Sequence, residues 1–286
     1  MKKQLIINAF ADEASDHVDG QIAALKRNDL DGIEIRNFGN KSICDHTEEE
    51  VRELKRKFDS AGLKIGAIGS PIGKIDIETD DFNVHIEKFK HTLELATILE
   101  TEKIRIFSFY IPNGKSPNAY KNEVIDRLGL FLELAKGSGV SLCHENEKGI
   151  YGDIAARCLD IHKSLPEMKG IFDPANYIQC GQNTMDAWNC LKGYIDYLHI
   201  KDAVDDGSVV PAGKGAGCVC DIVSEYIAMG GNKFTIEPHL TVFSGLSNLE
   251  RECETSSISK KYLYPDADTA FDAACSAFNE LLRGIC

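Results

Sequence analysis

The stretch VSLCHENEKGIYGDIAARCLDIHKSLPEMKGIFD, residues 140–173, decides the fold. VSLCHE (140–145) is β-rich and apolar, and it ends on a carboxylate. DIAARCLDIHKSL (153–165) has the apolar spacing of a helix. KGIFD (169–173) is a second short apolar run that again ends on a carboxylate. Strand, helix, strand with acids at both strand ends is one turn of a βαβ winding.

The same unit recurs outward in both directions. Toward the N-terminus, strands are expected at 4–10, 32–36, 63–69 and 103–109. Helices are expected between them at 17–28, 47–62 and 80–100, with another at 122–139. Thr47 and Glu50 form a capping-box pattern at one of these helices, and Gly62 stands where a C-terminal glycine belongs. Toward the C-terminus, strands follow at 195–200 and 233–237, with helices at 185–191, 219–230 and 266–284. Eight strands, each followed by a helix, point to a single-domain (β/α)₈ TIM barrel over 1–286. A doubly wound open sheet would carry a glycine-rich phosphate turn after its first strand, and AFADEAS (9–15) has none. The long irregular stretch 238–265 reads as a loop over the barrel mouth, before the closing helix.

Composition narrows the function. The 286 residues carry a net charge of −13, which argues against a nucleic-acid-binding surface while allowing a local basic pocket. The ten cysteines lack scaffold spacing, CVC (218–220) has no matching second pair, and the N-terminus does not read as a signal peptide. A reduced, cytoplasmic protein is the expectation, with no membrane span.

In such a barrel the active site lies at the C-terminal strand ends. There the last four strands offer Glu145, Asp173, His199 and Glu237. Three carboxylates and one imidazole make a hard, oxygen-rich set suited to one divalent cation: Mn²⁺ or Mg²⁺, with Co²⁺, Fe²⁺ or Zn²⁺ tolerated. The cation would offset the repulsion of gathered acids. Any one of these residues alone would read as a solvated loop acid or a helix cap; the argument lies in four consecutive strand ends.

HENE (144–147), FDPAN (172–176), HIKD (199–202) followed by PAGKGAG (211–217), and IEPH (236–239) resemble the signatures of the sugar phosphate isomerase/epimerase family, the xylose isomerase-like barrels. AIGSPIGKI (67–75) is similar to a stretch at the third strand of one bacterial branch, and the likeness runs from FADE (10–13) to the terminal helix. The resemblance implies a (β/α)₈ fold, a carbohydrate-like substrate and one divalent metal, commonly Mn²⁺, on Glu145, Asp173, His199 and Glu237. It also implies that Glu145 and Glu237 are the catalytic acid and base. It does not choose among isomerase, epimerase, dehydratase and lyase. Where many relatives have His three residues after the metal Asp, this chain has Asn176, which can hydrogen-bond a sugar hydroxyl but cannot shuttle protons.

The chemistry expected is proton abstraction next to a carbonyl through a metal-stabilised enediolate. Arg36, Lys74, Asn176, Lys201 and His239 are candidate substrate contacts. For Arg36 a surface ion pair is the competing reading, and for Lys74 a solvated lysine. Asp202 is expected to orient a ligand. Strand alternation turns His144 away from the axis, and Glu147 rivals Glu145. Phe10, Phe109 and Tyr110 are candidate pocket walls, with core packing as the alternative. His17, His46, His85, His91 and His162 read as surface or packing residues.

Three rivals stand beside the isomerase. A lyase would use the same enolate on a keto-sugar, keto-glycoside or keto-inositol. A trinuclear phosphodiesterase needs more ligands than Arg36, Gly69 and Phe109 offer at the ends of strands two to four. A non-catalytic sugar-binding barrel would tolerate loss of both glutamates. Apolar surplus on outer helices, as in CLDIHKSL (158–165), leaves room for a homo-oligomer.

Overall fold

The structure is a computed structural model that describes residues 4–242 and 262–285. Eight parallel strands form a closed barrel: β1 Ile6–Ala9, β2 Gly32–Ile35, β3 Lys64–Ile68, β4 Lys103–Ile106, β5 Ser141–Glu145, β6 Lys169–Phe172, β7 Ile195–Ile200 and β8 Lys233–Ile236. Each pairs with its neighbour in sequence. β8 returns to β1 with Ile7 opposite Phe234 and Ala9 opposite Ile236. No strand edge of the barrel is left unpaired, and the helices cover the outside.

The helices are α1 Val18–Arg27, α2 Glu48–Ala61, α3 Phe82–Leu99, α4 Lys121–Ala135, α5 Ala155–Ser164, α6 Pro174–Gln179, α7 Thr184–Leu191, α8 Val219–Ala228 and α9 Ala267–Ile285. The capping box on α2 is formed: Thr47 Oγ1 accepts from Glu50 N, and Glu50 accepts from Thr47 N at 2.8 Å. Gly62 follows with φ 76°, a left-handed closure that costs glycine little. Between helices and barrel, Phe131 of α4 gathers Phe82, Phe89 and Phe109 into one aromatic cluster. α9 closes the ring against α1, where Arg27 reaches Asp268 at 2.7 Å and Asp272 at 2.9 Å.

The expected eight strands are present in the expected order. Three features were not anticipated, the first a hairpin of Asn37–Phe38 with Lys41–Ser42 after β2. α6 begins directly at the end of β6, with Asp173 as its N-cap and Pro174 in its first turn; FDPAN is a helix start as well as a strand end. A hairpin of Asp202–Ala203 with Val209–Val210 follows β7. Of the expected loop 238–265, residues 243–261 lie outside the described residues. Among the described residues no helix is long and apolar enough to cross a membrane.

Candidate metal centre and active site

Alternation along the strands sends every second side chain into the barrel. Glu145 ends β5 and Asp173 follows β6. His199 lies within β7 and Glu237 follows β8. All four are buried. One ligand atom from each lies within 4.8 Å of the others. The alternation also settles His144: it faces outward, with Nε2 3.0 Å from Ser108 Oγ, and burial pushes its pKa down to about 3.

His199 is engaged at both ring nitrogens. Nδ1 lies 2.9 Å from Glu145 Oε1 and 3.4 Å from Glu237 Oε2. Nε2 lies 3.2 Å from Glu34 Oε2. Burial alone would lower its pKa, but Glu145 and Glu34 beside it outweigh that and raise it well above 6.5. Glu34 is itself held by Tyr197 OH at 3.1 Å and Thr235 Oγ1 at 2.8 Å. Once Nε2–H donates to Glu34, Nδ1 is the nitrogen left to ligate.

Lys201 Nζ bridges Asp173 Oδ2 at 2.9 Å and Glu237 Oε2 at 3.2 Å. Arg36 donates from Nε to Asp12 at 2.9 Å and from Nη2 to Glu13 at 3.0 Å; its Nη1 is 3.4 Å from Glu237. Arg105 donates to Glu145 Oε2 at 3.1 Å and to Gly69 O at 3.0 Å. Phe10 lies under both guanidiniums, 4.4 Å and 5.0 Å from its centroid, and meets His199 edge-on.

The donor set fits a divalent cation. Six buried carboxylates (Asp12, Glu13, Glu34, Glu145, Asp173 and Glu237) face Arg36, Arg105, Lys201 and His199, so negative charge is in excess. Burial lifts Asp173 to about 7 and Glu13 to about 8, against the pull of Lys201 and Arg36 respectively. Asp173 Oδ2 is buried and accepts no well-directed hydrogen bond, although Lys201 is near. A small cation among these four residues would satisfy it. Glu13, Glu237 and His239 form a second convergent trio, but Arg36 already lies on both of its carboxylates.

The remaining candidates fall as follows. Arg36 is 2% exposed and sits between carboxylates, so the surface ion-pair reading is wrong. The solvated-lysine reading of Lys74 is also wrong: its side chain is 7% exposed, 3.0 Å from Glu147 and stacked on Phe107. That pair takes Glu147 away from the cluster. His239 Nδ1 is 3.3 Å from Glu237. Asn176 is buried beside the cluster, and its side-chain amide donates to Asn146 O at 2.8 Å.

Asp202 does not touch His199. It accepts from the backbone N–H groups of Ala203, Gly213, Gly215 and Gly217, pinning the PAGKGAG loop. The ligand-orienting role expected of Asp202 is taken, at His199, by Glu34. Phe109 is a core residue in the Phe131 cluster rather than a pocket wall, and Phe107 takes its place beside Lys74 and Arg105. Glu34 and Arg105 were not expected, because they lie inside strands rather than at the strand ends where a barrel's active site is built. The available signal was a charged residue in the middle of an otherwise apolar run, GIEIR and KIRIF.

Comparison with solved structures places the chain among similar barrels. The IolI protein with a bound zinc atom matches at TM-score 0.73 and 15% identity, over 99% of each chain. A probable 3-DHS dehydratase, AsbF, from Bacillus anthracis matches at TM-score 0.71 and 17% identity, over 96% of this chain and 99% of that one. The 3-keto-D-glucoside 4-epimerase YcjR from E. coli matches at 0.68 and 14%, over 98% and 100%. No curated protein matches by sequence. The family model described as xylose isomerase-like TIM barrel matches residues 22–225. That span runs from α1 into α8 and contains three of the four convergent residues, and the chain belongs to the xylose isomerase-like TIM barrel family.

Proposed function

We propose that the protein is a divalent-metal-dependent isomerase or epimerase of small keto-sugars, working by proton transfer at the carbon next to a carbonyl. The observation that carries this is the convergence of Glu145, Asp173, His199 and Glu237 from four successive strands. Manganese is the first choice for an oxygen-rich set, with magnesium, cobalt, iron or zinc able to replace it. The zinc in the IolI structure is in keeping with such a site.

When bound, the cation would polarise the carbonyl and stabilise the enediolate oxygen. Glu145 and Glu237 stand on strands separated by two others and act as the acid/base pair. Burial would raise Glu237, but Lys201, His239 and His199 outweigh it and hold its carboxyl well below the usual range, so it is ionised at neutral pH. Arg105 and His199 orient Glu145 through opposite oxygens. Arg36 fixes the Oε1 side of Glu237. Asp173 and His199 serve as ligands. Lys201 and His239 lie within reach of substrate oxygens, and Asn176 props the Asp173 turn.

The test is deuterium uptake from heavy water into a panel of keto-sugars and inositol-like ketones, with manganese-loaded protein. Exchange at the carbon beside the carbonyl is expected. Glu145→Gln and Glu237→Gln should each lower it by about 10²–10⁴-fold. A metal-loaded protein that exchanges nothing across the panel rejects the reading and leaves a non-catalytic sugar-binding barrel. A lyase through the same enolate is the second reading, favoured by the dehydratase among the similar structures. It would release water or a glycosyl group in the same assay.

A further inference from the structure

The pairing of β5 with β6 ends where Glu145 stands opposite Ile171. Asp173 lies two residues further on, past the end of β6. The ladder therefore does not itself set the distance between these two members of the cluster. Asn146 carries it on. Its side chain turns across to the neighbouring strand end: Nδ2 donates to Asp173 O at 3.0 Å, and Oδ1 accepts from Asp173 N at 3.0 Å. A primary amide offers donor and acceptor side by side, as a peptide group does, so this side chain is an added rung. Aspartate at the same place would lack the donor, and leucine would lack both groups.

A return contact closes the ring. Asn176 Nδ2 donates to Asn146 O at 2.8 Å, and Asn176 N donates to Asp173 Oδ1 at 3.1 Å. Asn146, Asp173 and Asn176 are all buried, so water does not compete for these four bonds. Asp173 Oδ1 serves the cap of α6, and Oδ2 is the oxygen beside Lys201. We propose that Asn146 is the positioning residue of the metal centre: through the backbone on both sides it sets the separation of Glu145 and Asp173. Its amide faces the Asp173 backbone, so it acts through its neighbours and not on substrate. The proposal rests on the reading of the cluster as a divalent-cation site. Ligand distances in such a site hold to within about 0.2 Å. Arg105 and His199 already fix the carboxylate of Glu145. Without the rung, the turn at Asp173 is free to slide against the end of β5 by more than that tolerance.

The experiment uses the full chain stripped of metal with a chelator and titrated with Co²⁺, so no turnover is needed. Calorimetry gives the affinity, and visible absorption reports the ligand geometry around the ion. Asn146→Ala should weaken binding by about 10–100-fold and alter the cobalt bands. Asn176→Ala cuts only the return contact and should weaken binding about threefold. Thr47→Ala, at the remote cap of α2, loses stability as well but should change neither affinity nor bands. Melting the metal-free variants puts all three on one stability scale. Parental affinity and bands in Asn146→Ala overturn the proposal, and so does a loss of affinity that Thr47→Ala matches. If Asn146→Ala does not fold, Asn176→Ala decides: weakened binding upholds the proposal, and parental affinity overturns it. A parent that takes up no cobalt rejects the metal centre itself, and the positioning role with it.

Discussion

His199 shows what one side chain needs before it can serve as a ligand. Its ring is fixed from below by Glu34 and from the side by Glu145, so tautomer and orientation are set in advance. Glu34→Gln keeps shape and removes the charge that raises the imidazole pKa. It should lower metal affinity by about ten- to a hundredfold while the barrel still folds, which a metal titration followed by thermal melting would check. Glu145, Asp173 and Glu237 were legible in the sequence because each closes an apolar run, and His199 because it stands one residue before the end of one. Glu34 and Arg105 were harder to see. Within a strand buried on both faces, a charge has no alternation partner in the sequence. Its justification is another charge across the barrel, as far as 165 residues away for Glu34 and His199.

At the scale of elements, local chemistry predicted most of what formed. Thr47, Glu50 and Gly62 specify both ends of α2. Thr47→Ala should cost about 1 kcal/mol in urea unfolding and leave metal affinity untouched, since this cap is remote from the cluster. Phe131 is the opposite case: it sits in an ordinary helix, and its weight comes from three phenylalanines that arrive from α3 and the end of β4. Phe131→Ala should cost about 3–5 kcal/mol, read as a fall in the unfolding midpoint. α6 is hidden in the sequence because Asp173 serves twice, as strand-end carboxylate and as N-cap accepting from Asn176 N. The hairpin at Asp202 leaves no trace in the sequence because its strands are two residues long, too short for a periodic pattern.

For the whole molecule, the barrel order was readable from the alternation of runs, whereas the response to pH depends on contacts only the fold creates. Three buried histidines are kept neutral by burial: His85 at about 4, His144 at about 3 and His162 at about 4. His85 Nε2 accepts from Gly73 N at 2.8 Å and must be unprotonated to do so. Gly73 has φ 87° and packs so tightly on Phe107 O that no Cβ fits, so this turn has no easy alternative. A histidine whose folded pKa lies below its unfolded value of about 6.5 stabilises above that value, and the contribution is lost as pH falls toward the folded pKa. The contribution of His85 to stability should therefore decline from about pH 6.5 to pH 4, by up to about 3 kcal/mol. Urea unfolding at several pH values checks this, and His85→Gln should flatten the slope.

Under the proposed function, Lys201 carries a consequence for the protein without its metal. Its ammonium already spans Asp173 and Glu237. It is a positive charge that cannot diffuse away. Small domains organised around zinc collapse when the ion leaves, because nothing else restrains the repelling ligands. Here the chain supplies its own stand-in, on a tether. Chelation should silence the protein and leave its circular dichroism and its shape nearly intact, and added metal should restore it without a refolding delay.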